Sequence, residues 1–267
     1  VKLFDIGINL TNKQFDLDRE AVIHQAMLSG VERMVITGTD IDESITANQL
    51  CKGFDGLYST AGIHPHDASQ APAEFVEDIK NLYLNNQNVV AIGECGLDFN
   101  RNYSPQDIQL SVFQQQLILA SELDAPIFSH QRDAHNAFIQ VLDNVAIKPN
   151  RLVVHCFTGS EAELNEYIDR GYYIGITGWI CDERRGKSVL DIVPLIPNDR
   201  LLIETDSPFL IPRDLKPKPK SRRNLPEYLP HILQTIAEVK EVDTEALASQ
   251  VWHNSCEFFK LSKESCL

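Results

Sequence analysis

Eight short apolar runs rich in Val, Ile and Leu punctuate the chain, at residues 3–10, 34–37, 57–64, 89–94, 126–130, 152–155, 172–176 and 201–204. Their starts fall 20 to 37 residues apart. That leaves room each time for one helix and two short loops, the rhythm of β-α units on a parallel sheet. The runs are near-continuous rather than alternating, as in strands covered on both faces. Helical periodicity fills the gaps. Residues 107–123 place Leu110, Phe113, Leu117 and Ala120 on one face, with Ser104 expected as N-cap and Pro105 at the first helical position. Ser160 and Glu163 form a capping-box pattern that opens a helix over 160–170. After the eighth run, 229–240 and 244–259 read as two closing helices.

Eight such units in about 250 residues fit an α/β fold of the (β/α)8 TIM-barrel type. An open doubly wound sheet fits less well, because it has fewer strands and a phosphate-binding glycine loop after the first. Here Thr11-Asn12-Lys13 follow the first run instead. The expectation is a single domain over residues 1–267, closed by extra C-terminal helices.

In a barrel the C-terminal ends of the strands converge on one mouth, where chemistry is built. Those ends carry Asp5 and Asn9, His64 and His66, Glu94, His130, His155 and Asp206. Four of the eight histidines fall there, and burying so many titratable groups is costly unless a metal or substrate satisfies them. His24, His231 and His253 lie in helical segments and read as structural, whereas His135 stands apart because it follows Arg132-Asp133. Glu94 and Asp206 each close an apolar run, so a cation is the natural partner of both. Mixed imidazole and carboxylate ligation suits a hydrolytic divalent metal, and Zn²⁺, Mn²⁺ and Mg²⁺ all accept such donors.

The same residues sit in four ordered blocks: Gly93-Glu94-Cys95-Gly96-Leu97-Asp98, Ser129-His130-Gln131-Arg132-Asp133-Ala134-His135, His155-Cys156-Phe157-Thr158-Gly159 and Glu204-Thr205-Asp206-Ser207-Pro208. With Gly62-Ile63-His64-Pro65-His66 and the segments 178–186 and 218–224, they make the chain resemble the TatD family of metal-dependent deoxyribonucleases, within the amidohydrolase superfamily, from about Phe4 to Phe259. The resemblance implies a TIM barrel and one or two divalent ions, Mg²⁺ first with Mn²⁺ or Zn²⁺ as alternatives, held by Glu94, His130, His155 and Asp206. It implies hydrolysis of DNA, 3′ to 5′ from an end, with single strands preferred and RNA also taken, and a role in DNA repair or degradation. Asp206, Glu94 and His64 are then the candidate catalytic residues. Asp206 would take a proton from water, and His64 or His66 would hold the scissile phosphate or protonate the leaving oxygen. One departure matters: family members often begin with D-x-H-x-H, where this chain has Asp5-Ile6-Gly7-Ile8-Asn9. Two strong ligands are missing, which weakens the case for a second tightly held metal, and Asn9 offers only a weak oxygen contact.

Composition sharpens the picture. With 43% hydrophobic and 23% charged residues, the chain is neither disordered nor fibrous. No stretch reaches the roughly 20 apolar residues of a membrane span, and the chain enters its first strand without a basic head and cleavage site. Cysteines at 51, 95, 156, 181, 256 and 266 form no C-x-x-C pair and read as isolated reduced thiols. A cytoplasmic monomer without an obligate protein partner is therefore expected.

A formal charge of −14 opposes non-specific attraction to nucleic acid or membranes. Yet Arg213, Lys216, Lys218, Lys220, Arg222 and Arg223 meet only Asp214 within 213–223, a local +5 that leaves −19 for the rest. Taken with the resemblance, this island is expected to bind phosphate. Substrate contacts are expected from His66, Arg132, Arg222 and Arg223. Arg184-Arg185 would add planar donors, and Trp179 or Tyr103 would stack a base. Two other readings stand beside this one: a hydrolase of a small amide, lactone or phosphoester, and a non-catalytic nucleic-acid-binding protein. Retention of Glu94 and Asp206 argues against the second.

Overall fold

The computed structural model describes residues 1–261, so Cys266 lies outside the described residues. Strand and helix alternate: β1 (Leu3–Ile8), α1 (Arg19–Leu28), β2 (Val31–Ile36), α2 (Ile41–Cys51), β3 (Leu57–Ala61), α3 (Phe75–Asn85), β4 (Val89–Asp98), α4 (Gln106–Leu123), β5 (Ile127–Arg132), α5 (His135–Asn144), β6 (Leu152–Val154), α6 (Glu161–Asp169), β7 (Tyr173–Ile176), α7 (Lys187–Ile192), β8 (Leu201–Ile203), α8 (Leu229–Lys240) and α9 (Thr244–Phe258). The eight strands run through one sheet in chain order. The end of β1 meets the end of β8, where the Asp206 N–H donates to Gly7 O at 2.9 Å and the Asn9 N–H to Ser207 O at 2.8 Å. This is the (β/α)8 barrel that the spacing of the apolar runs predicts, with α9 added after its last helix. Every residue of β1, β4, β6, β7 and β8 is buried, which is why these runs carry no polar alternation.

Two compact units make up the chain. One comprises residues 36–155 and 170–172 and holds β3 to β6 with α2 to α5. Here β4 pairs in parallel with β3 and β5, and its register with β5 shifts between Gly93 and Cys95. At that break the Glu94 N–H turns to Gly38 O, 2.8 Å away. Beyond it, Cys95 to Asp98 pair with Ser129 to Arg132 and extend the strand past the run that its sequence shows. Gly96 has φ +147°, and a Cβ there would run into the carbonyl oxygen of His130, so the close approach of the two strands requires glycine. α4 starts at Gln106 with Pro105 at its N-cap, which corrects the expectation that Ser104 caps it. Ser104 is buried instead: its hydroxyl donates to His66 O at 2.9 Å and accepts the Ser69 N–H at 3.0 Å, tying the loop after β3 to the start of α4.

The other unit comprises residues 1–35, 156–169 and the chain from Tyr173 on, and holds β1, β2, β7 and β8 with α1 and α6 to α9. β2 begins at Val31, before the apolar run at Met34, because Arg33 is buried rather than solvated. Its guanidinium lies 4.9 Å from the Trp252 ring and 5.9 Å from that of Phe4. The capping box of α6 forms as expected: Ser160 N–H donates to Glu163 Oε2 at 2.5 Å, and Glu163 N–H to Ser160 Oγ at 3.3 Å. Among the described residues no helix is long and apolar enough to cross a membrane, and Cys51, Cys95, Cys156, Cys181 and Cys256 are free.

Candidate active site

In the unit holding β3 to β6, the strand ends bring four imidazoles and two carboxylates together. Glu94, displaced from the ladder by the register shift in β4, points one oxygen at three rings. Its Oε1 lies 2.8 Å from His155 Nε2, 3.1 Å from His130 Nδ1 and 3.2 Å from His64 Nε2. Asp98, at the end of the same strand, accepts from His66 Nε2 at 2.7 Å and lies 3.4 Å from His130 Nε2. Its other oxygen accepts the Asn100 and Arg101 N–H groups at 3.0 and 2.8 Å, which fixes the carboxylate. Asp98 belongs to the Gly93–Asp98 block but is not among the candidate site residues of the sequence. The signal was there, since Asp98 is the acidic residue that ends the strand begun at Val89.

Burial and charge set the protonation of this cluster. Burial opposes ionisation of Glu94, but His155, His64 and His130 outweigh it and hold the carboxyl well below the usual range. Burial pushes His64 down to about 4 despite the attraction of Glu94. For His130 burial acts downward too, yet hydrogen bonding to Asp98 and Glu94 raises it. Asp98 is likewise held far below its ordinary value: burial works the other way, and the His130 and His66 hydrogen bonds prevail. His64 Nδ1 accepts the His66 N–H at 3.1 Å, so its neutral ring carries the proton on Nε2, facing Glu94. His130 faces a carboxylate through each ring nitrogen, Glu94 at Nδ1 and Asp98 at Nε2.

The second unit gathers the ends of β1, β7 and β8. Asp206, in the left-handed conformation at φ +53°, accepts from Asn9 Nδ2 at 3.0 Å. Asn9 thus presents its amide nitrogen to a carboxylate rather than an oxygen to a metal. Asp5 is fully buried and accepts the Thr205 hydroxyl at 2.5 Å and the Thr205 N–H at 2.9 Å. Burial outweighs these bonds and pushes its carboxyl well up. Glu204, also buried, accepts the Cys156 N–H at 2.6 Å.

The basic residues separate into two kinds. Arg223 is committed to structure: its guanidinium grips Asp18 at 2.6 and 2.8 Å, donates to Gln14 O at 2.6 Å and covers the Phe15 ring at 5.1 Å. Arg213 lies 3.4 Å from Glu183. Arg222 and Arg132, by contrast, are exposed and make no ion pair among the described residues. Tyr103 sets its ring edge-on to His66, 4.7 Å between centroids.

A sequence profile described as TatD related DNase matches residues 4–260. The chain belongs to this family. It is 49% identical over 263 residues to the 3′-5′ ssDNA/RNA exonuclease TatD of Citrobacter rodentium, covering 98% of this chain and all of that protein. To the protein of the same name from Salmonella typhimurium it is 50% identical, over 97% and 99% of the two chains. A TatD homologue from Escherichia coli K12 superposes with a TM-score of 0.88 at 25% identity, covering 97% and 98%. A TatD family hydrolase from Entamoeba histolytica superposes at 0.86 and 26%, again covering 97% and 98%.

For a TatD-family protein the donor set around Glu94 fits a divalent metal. Ligand atoms of His64, Glu94 and His130 lie within 4.8 Å of one another. Three imidazoles converge on one carboxylate oxygen, a mixed nitrogen and oxygen donor set of the kind that binds a divalent cation. His64 is the least suited of the rings to bind metal through Nε2, because its Nδ1 is already an acceptor.

Proposed function

We propose that the protein is a metal-dependent exonuclease that shortens single-stranded DNA, and RNA, from the 3′ end. The observation that carries this reading is the buried Glu94 oxygen ringed by His155, His130 and His64, in a chain half identical to named 3′-5′ ssDNA/RNA exonucleases. Glu94, His130 and His155 would hold one divalent ion, Mg²⁺ by preference, with Asp206 assigned to the same site from its place after β8. Such an ion supplies Lewis-acid polarisation of the phosphoryl oxygen and acidifies a water. Asp206, held in place by the Asn9 amide, takes the proton from the attacking water as the bond from phosphorus to the 3′-oxygen of the retained strand breaks.

His64 donates its Nε2 proton into the site. His66, oriented by Asp98 and half-buried, meets the scissile phosphate or hands a proton to the leaving 3′-oxygen. Arg132 and Arg222, exposed and without ion pairs, bind the flanking phosphates, whereas Arg223 positions its loop. The released product is a mononucleotide that carries the 5′-phosphate, as nucleic-acid degradation or DNA repair requires. We further assign the protein to the cytoplasm, consistent with five free cysteines among the described residues, as a monomer, and residues 1–267 to one domain.

Digestion of a single strand labelled at its 5′ end, with Mg²⁺, is expected to give a ladder of progressively shorter labelled products, and a 3′ label is expected to appear at once as mononucleotide. Chelator stops both, and Glu94→Ala lowers the rate by about a thousandfold, as loss of a group central to the chemistry does. No metal-dependent shortening by the wild-type protein would sink the proposal.

A further inference from the structure

A cleft of about 840 Å³ opens between the loops that follow β7 and β8. Trp179, Arg184 and Arg185 line it from the first loop, and Phe209, Arg213 and Arg222 from the second. Its single acid, Asp182, is buried and already engaged. Arg185 donates to it twice at 3.1 Å, and Arg184 and Arg213 lie 3.7 Å away. The Arg184 side chain is nonetheless largely exposed, and Arg222 is exposed without an ion pair among the described residues.

Two aromatic rings stand in this basic setting. Trp179 is locked, because the Arg185 guanidinium lies 4.6 Å from its ring and the indole N–H donates to Arg185 O at 3.2 Å. Phe209 is 48% exposed, although water is a poor environment for it and the core of this unit lies close by. Its N–H donates to Asp206 O at 2.9 Å, which sets the ring three residues from the carboxylate assigned to the reaction. Exposed aromatics between arginines are how proteins hold unpaired bases: the ring offers a stacking face to any base, and the arginines take the phosphates.

We propose that this cleft grips the retained strand, with an unpaired base stacked on Phe209 and backbone phosphates on Arg184 and Arg222. The inference rests on the exonuclease reading and extends it to the source of strand selectivity. An interior base can lie flat on Phe209 only when it is free of its neighbours in a duplex, so the cleft favours single strands. Stacking and phosphate contacts do not read the 2′-position, so DNA and RNA enter alike. The volume accommodates about two nucleotides.

Binding is measured in chelator, where no turnover intervenes, by the anisotropy of a labelled oligothymidylate. Phe209→Ala is expected to weaken binding about tenfold, the effect of removing one stacking ring, and Phe209→Tyr to restore it. In an otherwise intact protein, the unlabelled oligonucleotide quenches Trp179. The only other tryptophan, Trp252, is buried away from the cleft, and Trp252→Phe identifies the signal. A blunt duplex of matched length leaves the fluorescence unchanged. Wild-type affinity in a folded Phe209→Ala protein overturns the inference, as does quenching by duplex equal to that by single strand. If the alanine variant does not fold, the quenching experiment decides alone. A wild-type protein that binds single strands this way but never shortens them would sink the exonuclease reading and leave the cleft standing.

Discussion

His64 cannot be charged cheaply because burial strips it of water, and Glu94 cannot be protonated cheaply because the imidazoles around it favour its charge. Their effect on stability has one sign. With its folded value pushed down to about 4 from 6.5, His64 contributes stability that is complete above 6.5 and lost as pH falls toward 4. Glu94, held below its ordinary value, adds to the same loss at lower pH. His130 is shifted upward, so its contribution is complete below 6.5 and fades as pH rises through its folded value. The melting temperature of chelated protein should therefore fall as the pH drops from about 6.5 to about 5, and fall less in His64→Asn. An imidazole resonance of His64 that titrates near its unperturbed value would remove the basis for this. At this scale the sequence was informative where a polar side chain follows an apolar run, as for His64, Glu94, His130 and His155. It was silent on Arg223, because Asp18, the partner that commits it, lies 205 residues away and no local pattern of charge reveals such a pairing.

Elements were legible in the sequence as far as burial alone dictated them. All eight apolar runs became strands, and the α6 capping box formed because its two partners are three residues apart. Boundaries shifted wherever tertiary contacts overrode local character. Arg33 hid the start of β2 because its burial depends on Trp252, at the other end of the chain. Gly93 and Gly96 hid the second half of β4, since glycine reads as a strand breaker until the strand beside it is known. Gly96 is the sharper case: its backbone conformation is unfavourable to any side chain, and the His130 carbonyl occupies the space that a Cβ needs. Gly96→Ala is expected to push β5 away from β4 at the residue that carries a proposed ligand. The cost should be about 2 kcal/mol or more, and metal affinity should fall with it. Thermal unfolding with calorimetric measurement of metal binding checks both. An alanine variant with unchanged melting temperature and metal affinity would mean that the strands tolerate separation here.

A net charge of −14 and an anionic substrate are compatible only if the attraction is local. The +5 segment that suggested this turns out to be less uniform than its composition. Arg213, Arg222 and Arg223 line the cleft, Lys216, Lys218 and Lys220 do not, and Arg213 and Arg223 are already paired with acids. Arg184 and Arg185 share the single carboxylate of Asp182, so few cations are left to meet phosphates: Arg222 and the charge that these two retain. Counter-ion release then limits the salt response, since each phosphate contact on a single strand contributes about −0.7 to the slope of log affinity against log salt. Three contacts predict a slope of about −2. The acidic remainder interferes little at physiological ionic strength, where charges farther than about 8 Å apart are largely screened, so affinity should fall with that slope around physiological salt and gain less than the slope predicts in very dilute buffer, where long-range repulsion returns. Anisotropy of a short labelled oligonucleotide, titrated across salt concentrations, measures both features. A slope steeper than about −5 would show that the lysines and the paired arginines are also recruited, and the strand would then be held along the whole loop rather than in the cleft.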